Sequence, residues 1–308
     1  MTMSSANSKT EWIPVRTTNH PLFMSKKLTI VLGPTAVGKT DYAVSLAESL
    51  GTEIVNCDSR QVFKEMSIGV ARPEEETLRR VKHHFIACRS VKEPYTAGMF
   101  ELDAMALLED LFKKYDTVVM AGGSGFYIDA LCNGLDDFPP ADPELREQLT
   151  KRVKEEGVES LRLDLKRLDP ESYAAIDIAN WQRVVRALEV TIATGRKFSD
   201  YKTSTSKQRP FEIEKIGLRR ERSVLYERID CRVDEMMQQG LLEEAKALLP
   251  LRNLTALNTV GYKELFNFFD GACTLEDAVA TIKRNTRHYA KRQMTYWGRD
   301  ASIRWTDL

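Results

Sequence analysis

Residues 33–40 read GPTAVGKT and fit the phosphate-loop pattern G-x-x-x-x-G-K-[ST]. An apolar run precedes them and a helix-patterned run follows, the context in which this pattern carries chemistry. Its glycines let the backbone curl so that successive N–H groups face inward, as an anion nest at the positive end of a helix. Gly33, Pro34, Thr35, Ala36, Val37 and Gly38 would build the nest, Lys39 would add a mobile positive charge, and Thr40 a hydroxyl able to ligate Mg²⁺. The loop implies bound phosphates and does not say whose. The next candidate is Asp58 in NCDSRQVF, at the carboxyl end of a second apolar run. Open α/β sheets bind ligands in the crevice at that end. There a carboxylate can act as a base, hold a metal or cap a helix. A phosphate-loop ATPase usually adds an acid at a strand end to hold Mg²⁺. Here the run DTVVMA leads into Gly122-Gly123 and then Ser124, with no acid.

The elements that must position these residues alternate between strand and helix. Leu28–Leu32 reads as a buried strand, and Gly38–Leu50 as a helix with Tyr42, Ala43, Leu46, Ala47 and Leu50 at helical spacing. Thr52–Cys57 reads as a second strand, which closes a βαβ unit. A helical stretch over Ala97–Tyr115 leads into a strand at Thr117–Ala121, and the alternation predicts a parallel sheet. After Phe138-Pro139-Pro140 the texture changes to charged amphipathic helices, up to Thr194-Gly195 and a polar loop ending at Pro210. Strand character returns at Phe211–Leu218, followed by helices over Ser223–Gly240 and Leu275–Gly298. The fold expected is α/β, a P-loop NTPase-like parallel-sheet core with an inserted helical domain. Residues 26–137 and 211–308 would form the core and 138–210 the insertion. Residues 1–25 would be a polar, aperiodic, disordered extension, with Met24 as an alternative start.

Composition narrows the classes. A chain of 308 residues, 43% hydrophobic and 29% charged, can bury about two domain cores. Lys plus Arg and Asp plus Glu number 45 each, so affinity for a polyanion must come from local clusters. One such cluster runs from Ala278 to Arg299, with six Lys/Arg, no acid, and Tyr289, Tyr296 and Trp297 interleaved. Arg284, Arg287 and Lys291 share a helical face there, where they could track phosphates or simply meet solvent. The five cysteines are scattered without a CxxC pair, as in a reducing, cytoplasmic setting with neither disulfides nor structural zinc. His83-His84 lacks a ligand set and reads as structural. No apolar stretch approaches the roughly 20 residues of a membrane span.

The blocks GPTAVGKT, CDSRQVFKEMSIGVARP, AGGSGFY, NWQRVVRALEV and NTRHYAKRQMTYWGRD resemble, in order and spacing, the tRNA dimethylallyltransferases, or tRNA isopentenyltransferases. The likeness runs from Lys26 to the C-terminus. It implies transfer of the dimethylallyl group of dimethylallyl diphosphate to N6 of the adenosine 3′-adjacent to the anticodon, in tRNAs reading codons that begin with U. The loop would then grip the diphosphate with Mg²⁺ held through Thr40. Lys39 and Ser124 would assist catalysis, Arg222 would reach the diphosphate, and Asp58 would be the general base. Asp58, Ser59, Arg60, Gln61 and Ser124 would meet the tRNA, as would Gln182, Arg183, Val184, Val185 and Arg186, and Arg146 beside them. Arg60 stands at a place the family leaves variable, and Ser124 where it usually has Thr. The anticodon stem-loop and dimethylallyl diphosphate are the partners implied, with a monomer acting away from membranes. The target base must leave its stack to be reached, which calls for a channel. Rival readings are a P-loop kinase of a nucleotide or small molecule, an RNA-stimulated ATPase, and an adenylate isopentenyltransferase. The insertion and the basic C-terminal helix favour tRNA.

Overall fold

A computed structural model describes residues 26–140, 142–203 and 206–308. The expectations for the N-terminal extension and for Met24 lie outside the described residues. Six strands form one parallel sheet in the order β3-β2-β4-β1-β5-β6. They are β1 (Lys27–Leu32), β2 (Ile54–Asn56), β3 (His83–His84), β4 (Thr117–Gly122), β5 (Glu212–Arg219) and β6 (Ile303–Asp307). The parallel α/β core expected from the alternation is present. Two edge strands escaped the sequence reading: β3 has only two residues, and β6 lies beyond a run read as wholly helical.

Alternation along β1 divides the core. Leu28, Ile30 and Leu32 face a cluster built with α3 (Ala97–Phe112) and α4 (Gly125–Asn133). Val31 faces the opposite cluster with α1 (Lys39–Leu50) and the start of α9 (Arg222–Gln238). Side chains successive on a strand point to opposite faces, so a buried central strand needs apolar residues at nearly every position. Short α2 (Glu75–Arg80) precedes β3.

Between β4 and β5 the chain leaves the sheet to build α5 (Pro143–Glu156), α6 (Val158–Leu168), α7 (Pro170–Ala175) and α8 (Trp181–Thr194). These helices have their own apolar centre, including Leu149, Leu161, Leu165, Val184, Val185 and Leu188. Asp142 caps α5 and Asn180 caps α8 through side-chain acceptors, fixing where each helix begins. After β5, helices α9, α10 (Leu241–Leu248), α11 (Tyr262–Phe269) and α12 (Leu275–Trp297) gather a further apolar cluster with Val62, Phe63 and Met66. The basic α12 crosses back so that Ala290 and Trp297 reach the clusters on the two sheet faces. No helix among the described residues is long and apolar enough to cross a membrane.

Candidate active site

The carboxyl ends of β1, β2 and β4 surround the site. Between β1 and α1 the loop turns through Gly33, Ala36 and Gly38 at positive φ. A Cβ on Gly33 would sit 2.6 Å from the Leu218 carbonyl oxygen, so that position requires glycine. Helix α1 has no side-chain cap at its start. The amides of Lys39 and Thr40 therefore have no intrahelical acceptor and border a cavity of about 150 Å³. Not every amide of the expected nest is free. Thr35 N–H donates to Gln293 Oε1 at 2.9 Å, and Val37 N–H to the Pro34 carbonyl at 3.3 Å. Lys39 Nζ donates to the Pro34 carbonyl at 2.8 Å. Enclosure lowers its pKa to about 8, with the nearby Asp58 charge opposing the shift and Arg232 adding to it.

Asp58 follows β2. Its Oδ1 accepts from the amides of Arg60 at 2.8 Å and Gln61 at 3.3 Å, so it does cap, but it caps a turn and no helix follows. Among the described residues no donor bonds Oδ2. Asp58 borders the phosphate-loop cavity and also a wider one of about 370 Å³, and Thr35, Arg232 and Tyr289 likewise border both. Ser124 ties the next loop to this turn: its Oγ accepts from Ser59 N–H at 2.9 Å and donates to Ser59 Oγ at 3.1 Å. Gln61 borders the phosphate-loop cavity and donates Nε2 to the carbonyls of Val70 and Ala71, which line both cavities. Arg60 borders the wider cavity.

Arg222, expected at the diphosphate, borders neither cavity. It donates to Tyr226 Oη at 3.1 Å and lies over that ring. Other arginines take the place beside the loop. Arg220 donates to the Val37 carbonyl and Arg228 to the Ala36 carbonyl, each at 2.9 Å. Arg232 lines both cavities, its pKa lowered by burial and by Arg228. Arg228 and Arg232 stand four apart on α9, a spacing that places them on one face and was available in the sequence. Gln293 gave no such signal. Buried on α12, it also donates Nε2 to the Gly123 carbonyl at 2.8 Å and so bridges the phosphate loop to the loop of Ser124.

The insertion sorts the residues expected at RNA into two groups. Gln182 and Arg183 are exposed on α8. Val184 and Val185, also expected there, are instead buried in the helical cluster, because their side chains fall on the inward face. Arg146 and Arg186 both pair with buried Glu189, at 2.6 and 3.2 Å, and Arg186 donates to the Pro139 carbonyl. A carboxylate taken out of water needs such partners, so these two arginines hold the insertion's structure. On α12, Arg287 pairs with Asp230, and the Arg284 guanidinium donates to the Thr281 hydroxyl. His84 pairs with Glu53, while His83 borders the phosphate-loop cavity with its pKa lowered by burial.

Clustered cations, open amides at a helix start and a carboxylate between two cavities suit a substrate with a diphosphate and a second reactant approaching Asp58. The family model for IPP transferase matches residues 61–300. Over 291 residues the chain is 49% identical to tRNA dimethylallyltransferase 2 of Porphyromonas gingivalis, covering 94% of this chain and 95% of that one. It is 48% identical to the tRNA dimethylallyltransferase of Christiangramia forsetii over 92% of this chain and 94% of the relative. A crystal structure of the full-length tRNA isopentenylpyrophosphate transferase of Bacillus halodurans matches with TM-score 0.67 and 37% identity, over 92% of this chain and 90% of that one. A eukaryotic dimethylallyltransferase captured acting on tRNA matches with TM-score 0.79 and 25% identity, over 92% and 74%. The chain belongs to the IPP transferase family, the tRNA dimethylallyltransferases.

Proposed function

We propose that this protein transfers the dimethylallyl group of dimethylallyl diphosphate to N6 of the adenosine 3′-adjacent to the anticodon, in tRNAs reading codons that begin with U. The observation that carries the reading is Asp58, shared between the cavity on the phosphate loop and the wider one beside it. Diphosphate would sit on the amides of Lys39 and Thr40, among Lys39, Arg228 and Arg232. The wider cavity has an apolar side, with Ile229, Val233 and Met236, suited to a prenyl group. Its polar side, with Ser59, Arg60 and Arg292, is suited to a nucleotide.

In the transfer, the N6 lone pair forms a bond to the allyl C1. The C1–O bond breaks and its electron pair leaves with diphosphate. The developing charge is met by preorganised donors, which act most strongly where water is excluded. Adenine N6 is a weak nucleophile because its lone pair is delocalised, and its proton passes to Asp58 Oδ2. Ser124 positions the turn that carries Asp58. Among the described residues no cluster of three His, Cys, Asp or Glu could hold a metal on its own. Mg²⁺ would be held through the Thr40 hydroxyl, which borders the phosphate-loop cavity, since this ion usually takes few protein ligands beside substrate phosphates. When bound it would neutralise charge on the departing diphosphate. We read the protein as a cytoplasmic monomer; its five unpaired cysteines suit a reducing compartment.

The test is to incubate the protein and Mg²⁺ with radiolabelled dimethylallyl diphosphate or γ-labelled ATP, and with tRNA or AMP. Label is expected to pass from dimethylallyl diphosphate to tRNA. Transfer from ATP, or prenylation of AMP alone, would overturn the reading.

A further inference from the structure

Beside the loop of Ser124 the molecule leaves two aromatic rings bare. Phe126, in the first turn of α4, is 61% exposed, and Tyr296, near the end of α12, is 41% exposed. Tyr296 is nonetheless fixed. Its ring lies so close to Gly125 that a Cβ there would sit 2.5 Å from Cε1, and its hydroxyl donates to Asp129. Asp129 stands three residues after Phe126, so both rings border one face of α4. The charges of Arg183, from the insertion, and Arg299 reach the Tyr296 hydroxyl and oppose the upward push that burial and Asp129 give its pKa.

Single exposed apolar side chains are ordinary on protein surfaces. This pair differs in three respects: one ring is immobilised from below, the charges of guanidiniums from two parts of the molecule reach it, and Ser124, with its hydrogen bonds to Ser59 beside Asp58, precedes Phe126 by two residues. Single-stranded RNA is recognised by stacking unpaired bases on aromatic faces and guanidinium planes. A nucleotide drawn out of a loop also uncovers the faces of its neighbours. A ring fixed beforehand loses little freedom when a base settles on it.

We propose that Phe126 and Tyr296 form a stacking platform for an anticodon-loop nucleotide flanking the target adenosine, with Arg183 and Arg299 on the neighbouring phosphates. The proposal rests on the tRNA reading of the site. Its test uses anticodon stem-loops carrying 2-aminopurine at either flanking position, whose fluorescence falls on stacking. Wild-type protein is expected to quench one of the two probes. Phe126→Ala and Tyr296→Leu should each weaken stem-loop affinity by about five- to hundredfold and reduce the quench. In steady state they should raise KM for tRNA and leave KM for dimethylallyl diphosphate unchanged. Tyr296→Phe, which keeps the ring, should retain the quench. The double variant Phe126→Ala/Tyr296→Leu, melting as wild type does yet binding and quenching as wild type does, would overturn the platform while leaving tRNA transfer intact. Wild-type protein that transfers no label to tRNA would instead sink the functional reading, and the platform with it.

Discussion

At the scale of single residues, Lys39 shows how the site tunes charge. Its pKa, lowered by enclosure to about 8 from 10.5, leaves it partly neutral in mildly alkaline solution. Affinity of the free protein for dimethylallyl diphosphate should therefore fall above about pH 8, by up to about tenfold per pH unit. In Lys39→Arg the fall should vanish, since a guanidinium stays charged. Equilibrium titration across pH 7–10 with both proteins checks this; parallel curves would contradict it. The stability consequence has the opposite sense. Between about pH 8 and 10.5 the unfolded chain holds a proton on this lysine that the folded protein has lost, so this group makes folding more favourable as pH rises through that window. The phosphate loop and Asp58 were legible in the sequence because each sits in a short local pattern with a mechanical reason for its residues, whereas Ser124 came only with the family resemblance. Arg228 and Arg232 were half legible, through their spacing of four. Gln293 was illegible: its partner Thr35 lies 258 positions away in the chain, and glutamine in a basic helix has no distinctive signature.

At the scale of elements, two side chains hold the walls of the cavities in place. Gln293 links α12 to the phosphate loop and to the Gly123 carbonyl. Gln293→Leu strands the buried Gly123 carbonyl, at a cost of about 1–3 kcal/mol, and the half-buried Thr35 N–H at a smaller one. Gln293→Glu can still accept from Thr35 but cannot donate to Gly123 when ionised. Both variants should lower kcat, the leucine more, with KM for tRNA nearly unchanged; equal loss in the two, or loss confined to tRNA binding, would remove the bridging role. Glu244 on α10 does similar work. It accepts from the amides of Ser67, Ile68 and Gly69 and from the Tyr262 hydroxyl, and so fixes the chain leading to Val70 and Ala71 at both cavities. Glu244→Gln turns one acceptor into a donor facing amides. Hydrogen exchange at residues 67–71 should accelerate while α1 and β4 stay protected; unchanged exchange would show the loop to be held by other means. The sequence marked β1, α1, β2, β4, β5, α9 and α12 to within about two residues, because buried strands and amphipathic helices are periodic, and gave no separate bounds to the helices of the insertion. It missed β3 and β6, where a short edge strand buries too little for a period to show.

At the scale of the whole molecule, a parallel sheet carries the phosphate loop and Asp58 at the carboxyl ends of its strands, and the helical insertion exposes Gln182 and Arg183 on α8. Composition suggested a helical insertion but could not say which of its arginines are tied to carboxylates. Arg183 is exposed, while Arg186 is tied to Glu189 and Pro139. Arg183→Ala should therefore reduce the slope of log affinity for tRNA against log salt by about 0.7–0.9, the share of one phosphate contact. Arg186→Ala should instead lower the melting temperature. Melting curves and salt titrations on the two variants separate these roles, and a slope change in Arg186→Ala alone would reverse the assignment. The central claim is that binding belongs to the surrounding surfaces and proton removal to one carboxylate where they meet. Single-turnover transfer by Asp58→Asn, with both substrate affinities measured on the same protein, tests it most directly, because asparagine keeps the size of aspartate and can still accept from the turn amides but cannot take the N6 proton. Affinities for tRNA and dimethylallyl diphosphate should stay near wild type while the transfer rate falls by about 10²–10⁴; a rate within a few-fold of wild type would contradict the account.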